Sequence, residues 1–279
     1  MQRLFSNLLG KVTTDVSENS GEGARLLEEG IESYAAGNYA NAKIQYEEAI
    51  KNGNLEARAE LAWMLRYGRE GMLGDLIKSN RLVREGHELA NPHCAGILSL
   101  DRTQSEMKEK VRLANIGAQI DSKYGWYALG VIFNRYTPSD YKKAFEYFKL
   151  AADKFDLDMA HYDLGEMYLH GKIYGVEQNE KEAFRRFQLS ANQGLPHAYN
   201  KVAECYENGV GIRRNLKKAL ENYKLSQSAG IVNSDVSPKI RELTRELESR
   251  PSRTNRSGSS GRSNKTSKTS NSRKADKRK

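Results

Sequence analysis

Long apolar runs are missing from this 279-residue chain. No segment approaches the roughly 18 consecutive apolar residues that a spanning helix needs, which excludes a bundle of membrane helices. Prolines number five, too few to interrupt long helices or to build a collagen-like rod. The two cysteines, Cys94 and Cys205, stand far apart in sequence. Such spacing argues against a disulfide framework or a zinc cluster and suits a reducing compartment. Catalytic signatures are absent too: there is no G-x-S-x-G elbow, H-E-x-x-H pair, Walker glycine loop or C-x-x-C. Among the five histidines, His87, His93, His161, His170 and His197, none pairs with a second ligand at helical spacing. The expectation is a non-enzyme with no cofactor and no metal. At the amino terminus, Leu4, Phe5, Leu8, Leu9 and Val12 share one helical face, but Ser6 and Asn7 break any secretory core. A cytoplasmic location is expected.

Charge is abundant and unevenly placed. The net charge is +9, yet residues 250–279 carry eleven Lys or Arg against one acid, Asp276. Residues 1–249 hold 34 basic and 35 acidic side chains and are close to neutral. The basic segment has eight Ser, three Thr and no aromatic residue, so it has nothing to build a core from and is expected to stay disordered.

The rest of the chain repeats itself. A Gly or Ala recurs at Gly30, Ala62, Gly96, Gly130, Gly165 and Ala203, a period of 32 to 38 residues that suits two short helices and their turns. Four copies also show a small residue, an aromatic four positions on and a small residue three further: Ala42–Tyr46–Ala49, Ala144–Phe148–Ala151, Ala183–Phe187–Ser190 and Ala219–Tyr223–Ser226. These spacings put all three side chains on one helical face, where small residues admit a neighbouring helix and the ring fills the space between. The second and third copies offer Ser79–Val83–Gly86 and Lys110–Ala114–Gly117, with no ring. Gly37, Gly171 and Gly209 are placed as left-handed caps, and Asn179 with Glu182 as a capping box. Asn91–Pro92 marks a break between helices. Ile240, Leu243 and Leu247 form an apolar stripe on a charged helix, suited to sealing the last copy.

The stretches AHYDLGEMYLHGKIYGVEQNEKEAFRRFQLSANQG and AYNKVAECYENGVGIRRNLKKALENYKLSQSAG resemble Sel-one-like repeats, a branch of the tetratricopeptide superfamily. The segment WYALGVIFNRYTPSDYKKAFEYFKLAAD fits with a shorter turn, and the first copy is closer to an ordinary tetratricopeptide repeat. The resemblance covers residues 22–230. It implies an all-α fold, a right-handed α/α superhelical solenoid of about six helix-turn-helix repeats, with a concave groove and an adaptor role. Physics points the same way, because a lone helix pair cannot bury its apolar face and must stack on the next. The expected organisation is an N-terminal segment over 1–21 with the pattern of an amphipathic helix, a solenoid with a capping helix over 22–249, and the basic tail over 250–279.

If first helices line the concave side, as the resemblance implies, Trp63, Arg66, Tyr127, Asn134, Tyr162, Glu166, Asn200 and Glu204 project into the groove by helical phase. Packing between adjacent copies is the alternative for Tyr127 and Tyr162. Mixed charge favours a protein or peptide partner there over a phosphate backbone. The second candidate site is the tail, where Arg262, Lys265, Lys268, Arg273, Lys274, Lys277, Arg278 and Lys279 would attract nucleic acid or an anionic surface without discriminating between them. Oligomeric state is not legible.

Overall fold

The computed structural model describes residues 16–103, 106–136, 139–228 and 236–249. Among these residues there are fourteen helices and no strand. The first repeat pairs α1 (Val16–Ala35) with α2 (Tyr39–Lys51), and the second pairs α3 (Glu56–Tyr67) with α4 (Leu76–Glu88). The third and fourth pair α5 (Pro92–Leu98) with α6 (Met107–Gln119) and α7 (Lys123–Arg135) with α8 (Tyr141–Phe155). In the fifth, α9 (Asp158–Leu169) is followed by a single turn, α10 (Gly171–Tyr174), before α11 (Glu180–Asn192). The sixth joins α12 (Pro196–Asn208) to α13 (Leu216–Ser228), and α14 (Ser237–Ser249) closes the array. Apart from the single turn α10, each helix packs on its neighbours in sequence order, as a solenoid requires. Helix α1 starts ahead of the expected boundary at residue 22. The apolar residues 4–12 and the tail lie outside the described residues.

Every expected packing triplet is buried, including the two that lack a ring. The recurrent small residue and the aromatic turn out to be partners. A Cβ added at Gly30, Gly130 or Gly165 would stand 2.5 Å from the ring of Tyr46, Phe148 or Phe187 respectively. The ring therefore lies directly on the first helix of its own repeat, and only a missing side chain makes the room. In the third repeat the contact changes character: Gly96 and Gly117 both face the backbone of Gly125, so three helices touch through glycines instead of across a ring.

Helix starts follow the sequence closely. Asn38, Asp75, Asn91, Asp140 and Asn179 each accept a hydrogen bond from an amide of the first turn, satisfying a donor that the helix leaves unpaired. Asn215 accepts from the Lys218 amide at 3.1 Å in the same way. At Asn179 only half of the expected capping box forms, because the Glu182 carboxylate is taken by Arg185 and Arg186. Gly37 and Gly209 are left-handed as expected, with φ of 76° and 77°. Gly171 is not; it opens α10, and its lack of a side chain admits the Gln178 backbone. The left-handed residue in that turn is Gly175. At the carboxyl end, Leu243 is buried and Ile240 and Leu247 pack beside it, sealing α12 and α13.

The superhelix winds tightly enough for distant repeats to meet across its axis. The α3–α4 loop carries Arg69 inward, where its guanidinium pairs with Asp158 at the start of α9. Arg69 Nε also donates to the Tyr34 hydroxyl of α1 at 2.7 Å, and Trp63 Nε1 donates to Asp158 at 2.8 Å. Glu70 continues the contact: its amide donates to the Gly194 carbonyl, and its carboxylate accepts from the Tyr199 hydroxyl at 2.8 Å. One loop thus ties the first, second, fifth and sixth repeats together.

Candidate functional site

The inner surface carries two cavities with an aromatic wall between them. Trp63 is at the centre of that wall, with ring centroids of Tyr67, Tyr124 and Tyr127 at 4.8, 4.9 and 5.4 Å. The smaller cavity, about 370 Å³, is lined by Tyr34, Tyr46, Trp63, Lys123 and Asp158 among others. The larger, about 610 Å³, draws its lining from the second repeat through to the sixth. Arg66 and Tyr67 come from α3, Tyr127, Val131 and Arg135 from α7, Tyr162 and Asp163 from α9, and His197 from α12. Residues 99–103, following α5, close one side. In repeats four and five the first helix is held for this by the ring of its second helix, Phe148 lying on Gly130 and Phe187 on Gly165.

Expected groove residues fall into four groups. Arg66, Tyr127 and Tyr162 line the larger cavity, and Trp63 walls the smaller one. Trp63 and Tyr127 are nevertheless packed side chains, 3% and 1% exposed, so their expected role as freely projecting groove residues is corrected. The reason is the tight winding, which brings α3, α7 and α9 into contact across the axis. Glu166, Asn200 and Glu204 form a separate polar cluster around Lys201, whose ammonium reaches Glu166 at 3.1 Å and Glu204 at 3.5 Å. Asn200 donates to Glu204 within it. Asn134 is half-buried and lines neither cavity.

Residues that helical phase did not single out set the electrostatics. Arg66 donates to the Asn80 side chain at 3.2 Å and the Leu100 carbonyl at 2.8 Å, both neutral, so its charge is held in place but not cancelled. Arg102 is exposed at the rim. Arg135 faces Asp163, which accepts a hydrogen bond from Tyr127 at 2.8 Å. Burial pushes the Asp163 carboxyl up to about 6 against the opposing pull of Arg135 and Tyr127. Asp101 is different: against its desolvation, hydrogen bonds from Thr103 and Arg84 hold it below the usual carboxylate range. Burial lowers the pKa of His197 and raises that of the Tyr162 phenol. Asp163 follows Tyr162 in sequence and was legible as a polar residue on a helix that is otherwise mostly apolar. Arg102 sits in a loop, where helical periodicity carries no information. Among the described residues no group of His, Cys, Asp and Glu is arranged to hold a metal ion. Cys94 and Cys205 are buried, each thiol pushed up to about 12 by desolvation.

An array of stacked helix pairs with an inner groove defines the α/α superhelical repeat class. Within that class the Sel1 repeat matches residues 55–83, 125–154, 158–195 and 196–230, which coincide with repeats two, four, five and six. Four Sel1 repeats are thus present in the chain. Among solved structures, it is similar to c5321, a protective antigen of uropathogenic Escherichia coli displaying an SLR fold, at 22% identity and a TM-score of 0.51. The match covers 83% of this chain and 51% of that one, so the chain spans about half the length of that relative. A Sel1 repeat protein from Oxalobacter formigenes matches at 20% identity over 81% of this chain and 98% of that one, with a TM-score of 0.47. The immunity protein Pa5087 from Pseudomonas aeruginosa matches at 16% identity over 74% and 81%, with a TM-score of 0.46. At such identities the likeness is one of fold. No curated protein matches the sequence. Sel1-repeat proteins generally mediate protein–protein interaction, and the fold is typically a non-catalytic scaffold.

Proposed function

We propose that this protein is a non-catalytic adaptor that holds a protein or peptide segment in the larger concave cavity. The observation that carries the reading is the lining itself. Five successive repeats contribute to one open groove of about 610 Å³, within the range of ligand sites, with an apolar floor of Val131, Ile132 and Met159 and a polar rim. A preformed groove costs little ordering on binding, which suits recognition of an extended segment.

The test blocks the groove chemically. Cys94 and Cys205 are buried, so an exposed cysteine introduced as Leu76→Cys at the groove or Lys149→Cys on α8 is the one that labels. Peptides selected from a random library on the parent protein should lose binding once Leu76→Cys carries a bulky maleimide, and keep it when Lys149→Cys does. Unchanged binding to the labelled Leu76→Cys protein would overturn the reading.

A further inference from the structure

The larger cavity holds three guanidinium groups and fewer acids to oppose them. Arg66 is bonded to neutral acceptors, while Arg102 and Arg135 make no hydrogen bond or ion pair among the described residues. The acids nearby offset them only in part. Asp101 is engaged by Arg84 at 2.8 Å, and Asp163 accepts from Tyr127 and faces Arg135, which leaves Arg66 and Arg102 without an acidic partner among the described residues. Lys110 adds a further positive charge behind Tyr136, its ammonium bonded to the carbonyls of Ser99 and Asp101. An excess of arginines around an apolar floor attracts a complementary anion, and a guanidinium matches a carboxylate with paired hydrogen bonds.

We infer that the groove selects an acidic peptide segment, in which carboxylates meet Arg66, Arg102 and Arg135 while intervening apolar side chains rest on Val131, Ile132 and Met159. This deepens the adaptor reading and rests on it. A nucleic-acid strand fits less well, because its bases grip by stacking on open ring faces. Tyr67 and Tyr127 instead meet Trp63 edge-on, at 65° and 87°, and Tyr162 is tilted against Phe187.

Fluorescence anisotropy on the full chain tests the inference with a labelled dodecapeptide alternating acidic and leucine residues, its Gln and Asn counterpart, and a twelve-nucleotide oligothymidylate. The acidic peptide should bind at least about tenfold tighter than the amide peptide, the size of one charge-assisted contact. Arg135→Gln and Arg102→Gln should each weaken it several-fold, with unaltered circular dichroism, whereas Lys149→Gln on α8 should not. Equal binding of the two peptides, no binding of the acidic one at millimolar concentration, or tighter Arg135-dependent binding of the oligonucleotide would overturn acid selection. In each case library-selected peptides that still depend on access at Leu76 leave the adaptor reading standing, so the two failures are distinguishable.

Discussion

The Arg69 guanidinium meets the Asp158 carboxylate at 2.6 Å from 89 positions away in sequence, and the two side chains are 0% and 1% exposed. A pair so deeply desolvated stabilises only while both members are present, since removing one leaves a buried charge without a counterpart. Asp158→Asn should therefore cost about 3–5 kcal/mol in urea unfolding. Exchanging the pair for Arg69→Met with Asp158→Leu should recover much of that loss. A single variant as stable as the parent would show that the second and fifth repeats do not depend on this contact.

The glycine contacts are graded by what faces them. At Gly130 an added methyl group meets the Phe148 ring, which can shift, so Gly130→Ala should cost about 1–3 kcal/mol. At Gly125 it meets the Gly117 carbonyl carbon at 2.5 Å, which is main chain and cannot move without displacing a helix. Gly125→Ala should be the more damaging of the two. Phe148→Ala should cost about 3–5 kcal/mol, the usual loss for a buried aromatic. Thermal melts of the three variants check the order; a Gly125 variant that melts with the parent would refute the backbone contact.

Asp163 gives stability a defined pH dependence. Its folded pKa of about 6 lies above the ordinary 3.8, so between these values the folded chain holds a proton that the unfolded chain releases. Its contribution is most favourable below about pH 4 and is lost as pH rises toward 6. Facing groups are Tyr127 and Arg135 on α7, Tyr67 on α3, and Tyr162 and Glu166 on α9. Burial lowers the pKa of His93, His161 and His197, which act in the opposite sense below about pH 6.5, so a difference against a variant is needed. Asp163→Asn should gain up to about 3 kcal/mol relative to the parent between pH 4 and pH 7. A stability difference that stays flat across this range would contradict the buried, raised carboxyl.

Tyr162 lines the groove while packing against Phe187 at 5.8 Å. Tyr162→Ala should reduce peptide affinity more than stability, read by anisotropy beside a melt. Unchanged affinity with a large drop in melting temperature would assign the ring to packing.

Removal of residues 250–279 separates the groove from the basic tail. If the groove carries recognition, residues 1–249 should bind selected peptides as the full chain does. Loss of binding together with loss of a steep salt dependence would shift recognition to the tail.

Repeat number, helix pairing and the second-helix triplets were legible in the sequence because they follow from local periodicity: a small residue and a ring at fixed spacing specify one face of one helix. The caps at Asn179 and Asn215 are local for the same reason. How far the superhelix winds is not local. It sums small rotations over every interface, and the outcome decided that Trp63 and Tyr127 are interior, that Arg69 reaches Asp158, and that Arg66, Arg102 and Arg135 share one cavity. Sequence determined the stacking unit and the side it buries; only the tertiary structure decided which charges were left facing one another across the axis, because that depends on distances between residues tens of positions apart.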